Sequence, residues 1–208
     1  MENEKVFISI TLIPEEKIEN LVLKINEDLS EKFSINKPDS NKEYAHISLY
    51  NANFPSHNRL LIENIIEDIS KSFSNIELVP EYINSKSRFI SIVFHKTEII
   101  ENLQNKIIEM LNPLREGLLQ SEYTEKTESY SEKELFLVKM YGYPFCKEEF
   151  TPHMTLVELN DIEDTSSILK EIVWNKNVSI DKISMRIISK NEIGEKVVKT
   201  ILFKLKSI

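Results

Sequence analysis

Glycine is scarce in this chain of 208 residues: Gly117, Gly142 and Gly194 are the only three. No G-x-G-x-x-G or Walker-type loop can be written with them, which excludes the dinucleotide and nucleoside triphosphate sites built on such loops. Cysteine is scarcer still. Cys146 stands alone, so there is no intrachain disulfide and no cysteine-based metal cluster, and a reducing, cytoplasmic setting is expected. No apolar run approaches the length of a membrane span. The opening "MENEKVFISITL" is acidic and then strand-like, without the basic n-region of a signal peptide. Positive charge is also in deficit, with 26 Lys and Arg against 34 Asp and Glu and a net charge of −8. Long nucleic acid usually requires a basic footprint, and here the lysines are interleaved with glutamates. A short or small anionic ligand in a local pocket remains compatible with that balance.

What is present is an ordinary globular composition, 41% apolar and 29% charged, enough for one sizeable core. Strand patterns cover 6–12, 45–50, 76–80, 88–94, 153–159, about 178–188 and about 196–205. Helical spacing runs from Pro14 to about residue 34, over 58–73 and over 97–111, where Pro113 ends it. A charged insertion at about 115–150 interrupts the pattern. It predicts a helix over about 129–141 with Gly142 as its C-cap, and a short helix follows around 165–173. Each half carries a histidine strand, a helix and two strands. The expected fold is α+β, a single domain over 1–208 with two pseudo-symmetric lobes of antiparallel sheet backed by helices and a cleft between them.

Two of the four histidines begin strands and share one local pattern. "HISL" holds His46 and Ser48, and "HMTL" holds His153 and Thr155. Residues i and i+2 of a strand project to one face, so each imidazole travels with a hydroxyl. If the two strands meet across a two-fold, two imidazoles and two hydroxyls converge. A neutral imidazole can take a proton from water or a ribose hydroxyl, and a protonated one can give a proton to a leaving oxygen. The hydroxyls can donate to non-bridging phosphate oxygens. This scheme requires neither metal nor cofactor.

The motifs resemble those of the two-histidine (2H) phosphoesterase superfamily, which includes bacterial 2′-5′ RNA ligase-like proteins and cyclic nucleotide phosphodiesterases. "FTPHMTLVEL", with Phe150 and Pro152, is similar to the family's segment around its second histidine. "VFISITLIPEEKIENL" resembles its opening strand and helix, and "KISMRIISKNEIGEKVVKTILFKL" its last two strands. The first motif has Ser where Thr is frequent, and the hydroxyl is kept. The resemblance implies a LigT-like fold, with His46 and His153 as the catalytic pair and Ser48 and Thr155 as phosphate-binding hydroxyls. It implies a phosphodiesterase acting on a 2′,3′-cyclic phosphate or a short 2′-5′-linked nucleotide, with RNA end processing or ligation as the alternative enzyme. A nucleotide-binding module with little turnover, or an interaction protein docking through 115–150, are the non-enzymatic readings.

Tyr44 and Tyr50 flank the first motif, and Tyr143, Phe145 and Phe150 precede the second. Each is a candidate for stacking on a base or for plain packing. Arg115, one of few arginines beside Arg59, Arg88 and Arg186, is a candidate phosphate grip. His57 and His95 read as surface histidines and Cys146 as inert. The expected partner is a small nucleotide or short oligonucleotide, with no long nucleic acid, no membrane and a monomeric state.

Overall fold

The computed structural model describes residues 5–33, 45–86, 89–159, 165–191 and 194–206. β1 (Lys5–Pro14) leads into α1 (Glu16–Phe33), and β2 (Ile47–Pro55) into α2 (Arg59–Ser72). Two short strands follow, β3 (Ile76–Leu78) and β4 (Pro80–Lys86), then β5 (Phe89–Phe94) and α3 (Glu98–Leu111). The charged segment contains α4 (Ser121–Glu125) and α5 (Glu132–Tyr141). The chain ends with β6 (His153–Glu158), α6 (Ser166–Glu171), β7 (Val178–Asn191) and β8 (Gly194–Lys204).

Two antiparallel sheets result. The larger runs β2-β1-β7, with β3 and β8 sharing the far edge of β7, and the smaller runs β4-β5-β6. The α+β architecture and the two-lobed plan agree with the sequence reading, but the lobes are not the two halves of the chain. β1 and β2, joined through α1, pair as β5 and β6 do through α3. The third strands come from elsewhere: β7, from the second half of the chain, completes the β1–β2 sheet, and β4, which follows β3 of the larger sheet, completes the β5–β6 sheet. The helices cross over as well. α1 leaves the larger sheet to lie on β6 of the smaller, while α3 leaves the smaller sheet to lie on β2. Period-2 and period-3.6 patterns identify such elements but carry no information on which sheet receives them.

Three local expectations are corrected. Pro14 closes β1 rather than opening the helix, which starts at Glu16. The strand expected over 76–80 is split at Val79, so that β3 joins one sheet and β4 the other. α4 falls inside a stretch with no helical expectation. The helix expected over 129–141 is present as Glu132–Tyr141, and its ends have clear causes. Ser131 and Glu134 form a reciprocal capping box, and Gly142 closes the C-terminus at φ 74°.

The core lies between sheets and helices. Ile8, Ile10 and Leu12 of β1 are fully buried, as are Ile183 and Met185 of β7. Ile62 and Ile66 of α2 and Leu103 and Ile107 of α3 are fully buried too. The apolar stripes of α1 and α3 each carry one buried amide, Asn26 on α1 and Gln104 on α3. These two side chains bear on the site.

Candidate active site

The two motif strands are built alike beyond their tetrapeptides. In the β1–β2 pair, Ile10 faces Tyr50 while Thr11 faces Ser48, so Leu49 is an extra residue. In the β5–β6 pair, Ile90 faces Val157 while Ser91 faces Thr155, so Leu156 is extra. Each strand therefore bulges one residue after its hydroxyl. A bulge leaves the extra residue outside the ladder. Here both unpaired carbonyls are met by an amide from the crossed-over helix. Asn26 Nδ2 donates to Leu156 O at 2.8 Å, and Gln104 Nε2 donates to Leu49 O at 3.0 Å. Sequence reading missed both. The signal was a polar residue interrupting an apolar helical stripe.

The bulges align two matching rows of polar side chains. Ser48 on β2, Thr11 on β1 and Ser184 on β7 are cross-strand neighbours. Thr155 on β6, Ser91 on β5 and Asn84 on β4 are their counterparts. Ser91 Oγ and Thr155 Oγ1 lie 3.3 Å apart. β2 and β6 approach each other where the sheets meet. A cavity of about 570 Å³ opens there, and its lining includes Ser48, Ser91, His153 and Thr155. Three of the four motif residues thus converge on one space. His46 is half-buried immediately before β2, one step beyond the Leu12–Ile47 pair, in the place His153 takes opposite Val93. It is not among the residues lining this cavity.

His153 is exposed, and its Nδ1–H donates to Thr151 O at 2.9 Å. A carbonyl only accepts, so this bond fixes the tautomer and leaves Nε2 as the proton-exchanging nitrogen. The remaining walls were not foreseen as a set. Tyr82, Asn84, Phe89 and Val93 come from the smaller sheet, and Glu134, Tyr143, Phe145 and Glu149 from the charged segment. Alternation along β5 puts Phe89, Ser91 and Val93 on one face, but the facing segment is brought in only by the fold.

Among the other candidates, Tyr143 lines the cavity, with its phenol pushed up by burial and receiving a hydrogen bond from Asn51 Nδ2. Tyr44 lies outside the described residues. Tyr50 is corrected: the bulge takes it off the Ser48 face, its ring is fully buried, and its hydroxyl donates to Tyr141 O at 2.6 Å. Phe150 is also corrected, being packed in the core and outside the cavity lining. Arg115 is buried, and its guanidinium is consumed by Asn112 Oδ1, Leu118 O and Met140 O. It fastens the charged segment and does not grip a ligand. Gly142 lies against it, where an added Cβ would sit 2.7 Å from Arg115 Cδ at a backbone φ of 74°. Gly142→Ala is expected to cost about 2–3 kcal/mol through left-handed strain and displaced hydrogen bonds. Thermal denaturation would show a Tm lower by roughly 5–10 °C.

His57 pairs with Glu116 at 3.1 Å and His95 with Glu81 at 3.7 Å, both on the surface. Cys146 is buried, donates to Tyr143 O, and has its thiol pushed up to about 12 by that burial. At pH 8 it is almost wholly protonated. A thiol reagent is therefore expected to leave the native protein unmodified and to label it stoichiometrically once unfolded in denaturant.

The family model described as "Protein of unknown function (DUF1045)" matches residues 55–186, more than half of the chain. That span includes His153 and Thr155 and begins after His46 and Ser48. No curated protein sequence matches. Solved structures match along nearly the whole length. TT0787 of Thermus thermophilus superposes with a TM-score of 0.63 at 9% identity, covering 97% of this chain and 98% of its own. LigT of E. coli, crystallised with 3′-AMP, gives 0.56 at 9% identity, covering 98% and 99%. A structure described as a phosphoesterase gives 0.54 at 12% identity with the same coverage. The shared fold is the LigT-like, two-histidine phosphoesterase fold.

Proposed function

Because the chain belongs to the DUF1045 family and carries the LigT-like fold, we propose that it is a phosphodiesterase acting on small ribose phosphates, with a 2′,3′-cyclic phosphate or a short 2′-5′-linked nucleotide as substrate. One observation carries the reading: the duplicated bulged strand, which sets Ser48, His153 and Thr155 around a single cavity. The 3′-AMP held by E. coli LigT is a ribose 3′-monophosphate, the product class that opening of a 2′,3′-cyclic phosphate gives.

The chemistry balances with the chain's own groups. Water attacks phosphorus as one imidazole removes its proton. The bond from phosphorus to one ribose oxygen breaks, and the other imidazole protonates that oxygen. Ser48 and Thr155 donate to the non-bridging oxygens, whose charge grows in the transition state. His153, with Nδ1 engaged, exchanges its proton through Nε2. His46 is the partner in this scheme. Run in reverse with a ribose hydroxyl as nucleophile, the same pair would make the cyclic ester, and with an RNA end it would ligate.

The test is turnover, in excess EDTA, of 2′,3′-cyclic mononucleotides, 3′,5′-cyclic nucleotides and short 2′-5′ oligoadenylates, beside His46→Ala and His153→Ala proteins. Cleavage that vanishes in both variants supports the assignment. Activity that survives both substitutions removes it. Tight nucleotide binding without cleavage would leave a binding module instead.

A further inference from the structure

The cavity has two unlike walls. One is the row of hydroxyls and the imidazole, Ser48, Ser91, Thr155 and His153. The other is contributed by the charged segment and carries two carboxylates, Glu134 and Glu149. Among the described residues no Lys or Arg lines the cavity. Glu134 uses Oε2 to accept from Ser131 N at 2.7 Å and Ser131 Oγ at 2.8 Å. Glu149 uses Oε1 to pair with Lys133. Among the described residues, the second oxygen of each carboxylate has no hydrogen-bond donor. Exposed aromatic side chains border the same space: Tyr82 is 51% exposed, Phe89 37% and Phe145 40%. Large rings left this open beside a catalytic row suit a planar partner.

The opposite wing differs. On β7, Lys182 and Arg186 alternate with Ser184 on the face that holds Ser48 and Thr11. Lys182, paired with Asp181 at 3.3 Å, and Arg186 thus belong to the larger sheet, while Glu134 and Glu149 line the cavity. A phosphate is repelled from the Glu134–Glu149 side, and a group rich in N–H donors is drawn to it.

Resting on the phosphodiesterase reading, we infer that this cavity holds the base of the nucleotide between the aromatic side chains, and that Glu134 and Glu149 select bases presenting amino and ring N–H donors, guanine foremost. The open oxygen of each carboxylate can accept a hydrogen bond, and the guanine N1–H and N2–H₂ edge presents adjacent donors for such acceptors. Uracil offers a single N3–H between two carbonyl oxygens, which a carboxylate repels. A site that satisfies buried polar groups with one ligand discriminates against the ligand that leaves them unpaired.

The experiment compares kcat/KM for 2′,3′-cyclic GMP and 2′,3′-cyclic UMP, and in parallel the Kd of 3′-GMP and 3′-UMP for the His153→Ala protein by calorimetry. The guanosine ligands should be favoured by about 10-fold or more in both assays. The E134Q/E149Q protein should lose most of that ratio while keeping its fold, because glutamine still serves the capping box at 134. Equal values for the two bases, or a preference that E134Q/E149Q leaves unchanged, overturn the inference even where turnover is robust. Turnover of neither substrate overturns the phosphodiesterase reading instead, and the calorimetric ratio then still decides the base selection. Failure of both 3′-monophosphates to bind overturns the inference as well.

Discussion

Replacing His153 by alanine should lower kcat/KM for a 2′,3′-cyclic mononucleotide by about 10²–10⁴-fold, the usual contribution of a positioned acid or base. The substitution tests chemistry cleanly because the ring is exposed at the start of β6 and, among the described residues, its hydrogen bond runs to Thr151 O. Stability should change by no more than about 0.5 kcal/mol. Wild-type kcat/KM should follow a bell-shaped pH profile, with one group needed as base and another as acid, and the variant should lose one limb. A drop in rate with both limbs intact would place His153 outside the proton transfers. Retained activity would shift the reading toward a binding module. Thr155→Ala, which removes the hydroxyl proposed to bind phosphate but no proton-transfer group, should reduce kcat by up to about 10²–10³-fold while both limbs persist.

Gln104→Leu should be strongly destabilising, at about 2–4 kcal/mol, because it strands one buried and two part-buried polar groups at once. Gln104 is fully buried. Its amide nitrogen donates to Leu49 O at 3.0 Å and to Phe145 O at 3.3 Å, and its oxygen accepts from Lys147 N at 3.1 Å. Leucine has nearly the same volume but leaves the buried Leu49 carbonyl unsatisfied, worth roughly 1–3 kcal/mol, and removes the partner of the part-buried Phe145 O and Lys147 N. Lys147 itself holds a φ of 55°, a conformation that needs such support. Denaturant titration should show the loss, with a Tm lower by roughly 8–15 °C. The exposed Lys106→Leu on the same helix should shift stability by less than about 0.5 kcal/mol. At temperatures where the Gln104→Leu protein remains folded, its kcat should fall more than its KM rises. The Leu49 bulge that aims Ser48 and the Phe145 wall then lose a common anchor. Unchanged kcat in a folded variant would make Gln104 purely a stabilising residue.

These two substitutions mark where the sequence was sufficient and where it was not. His153 was legible because a titratable ring opening a β-rich run, two residues before a hydroxyl, occurs twice in one chain. Gln104 was hidden in a stripe that reads as ordinary amphipathic helix, since its partner Leu49 lies 55 residues away. Arg115 and Tyr50 show the same limit from the other side. Their chemistry fits a ligand, and only burial and their internal partners, Met140 O and Tyr141 O among them, show that they are already engaged.

By itself the sequence determined most of the element types, the Gly142 cap of α5 and the paired histidine–hydroxyl strands. All of these follow from local backbone and side-chain preferences that need no distant partner. Tertiary structure decided that β4 and β7 change sheets, that α1 and α3 cross over to satisfy the two bulges, and that Glu134, Phe145 and Glu149 stand beside Thr155. Those outcomes rest on contacts between residues far apart in the chain, whose hydrogen bonds and buried area exist only once the two sheets have met.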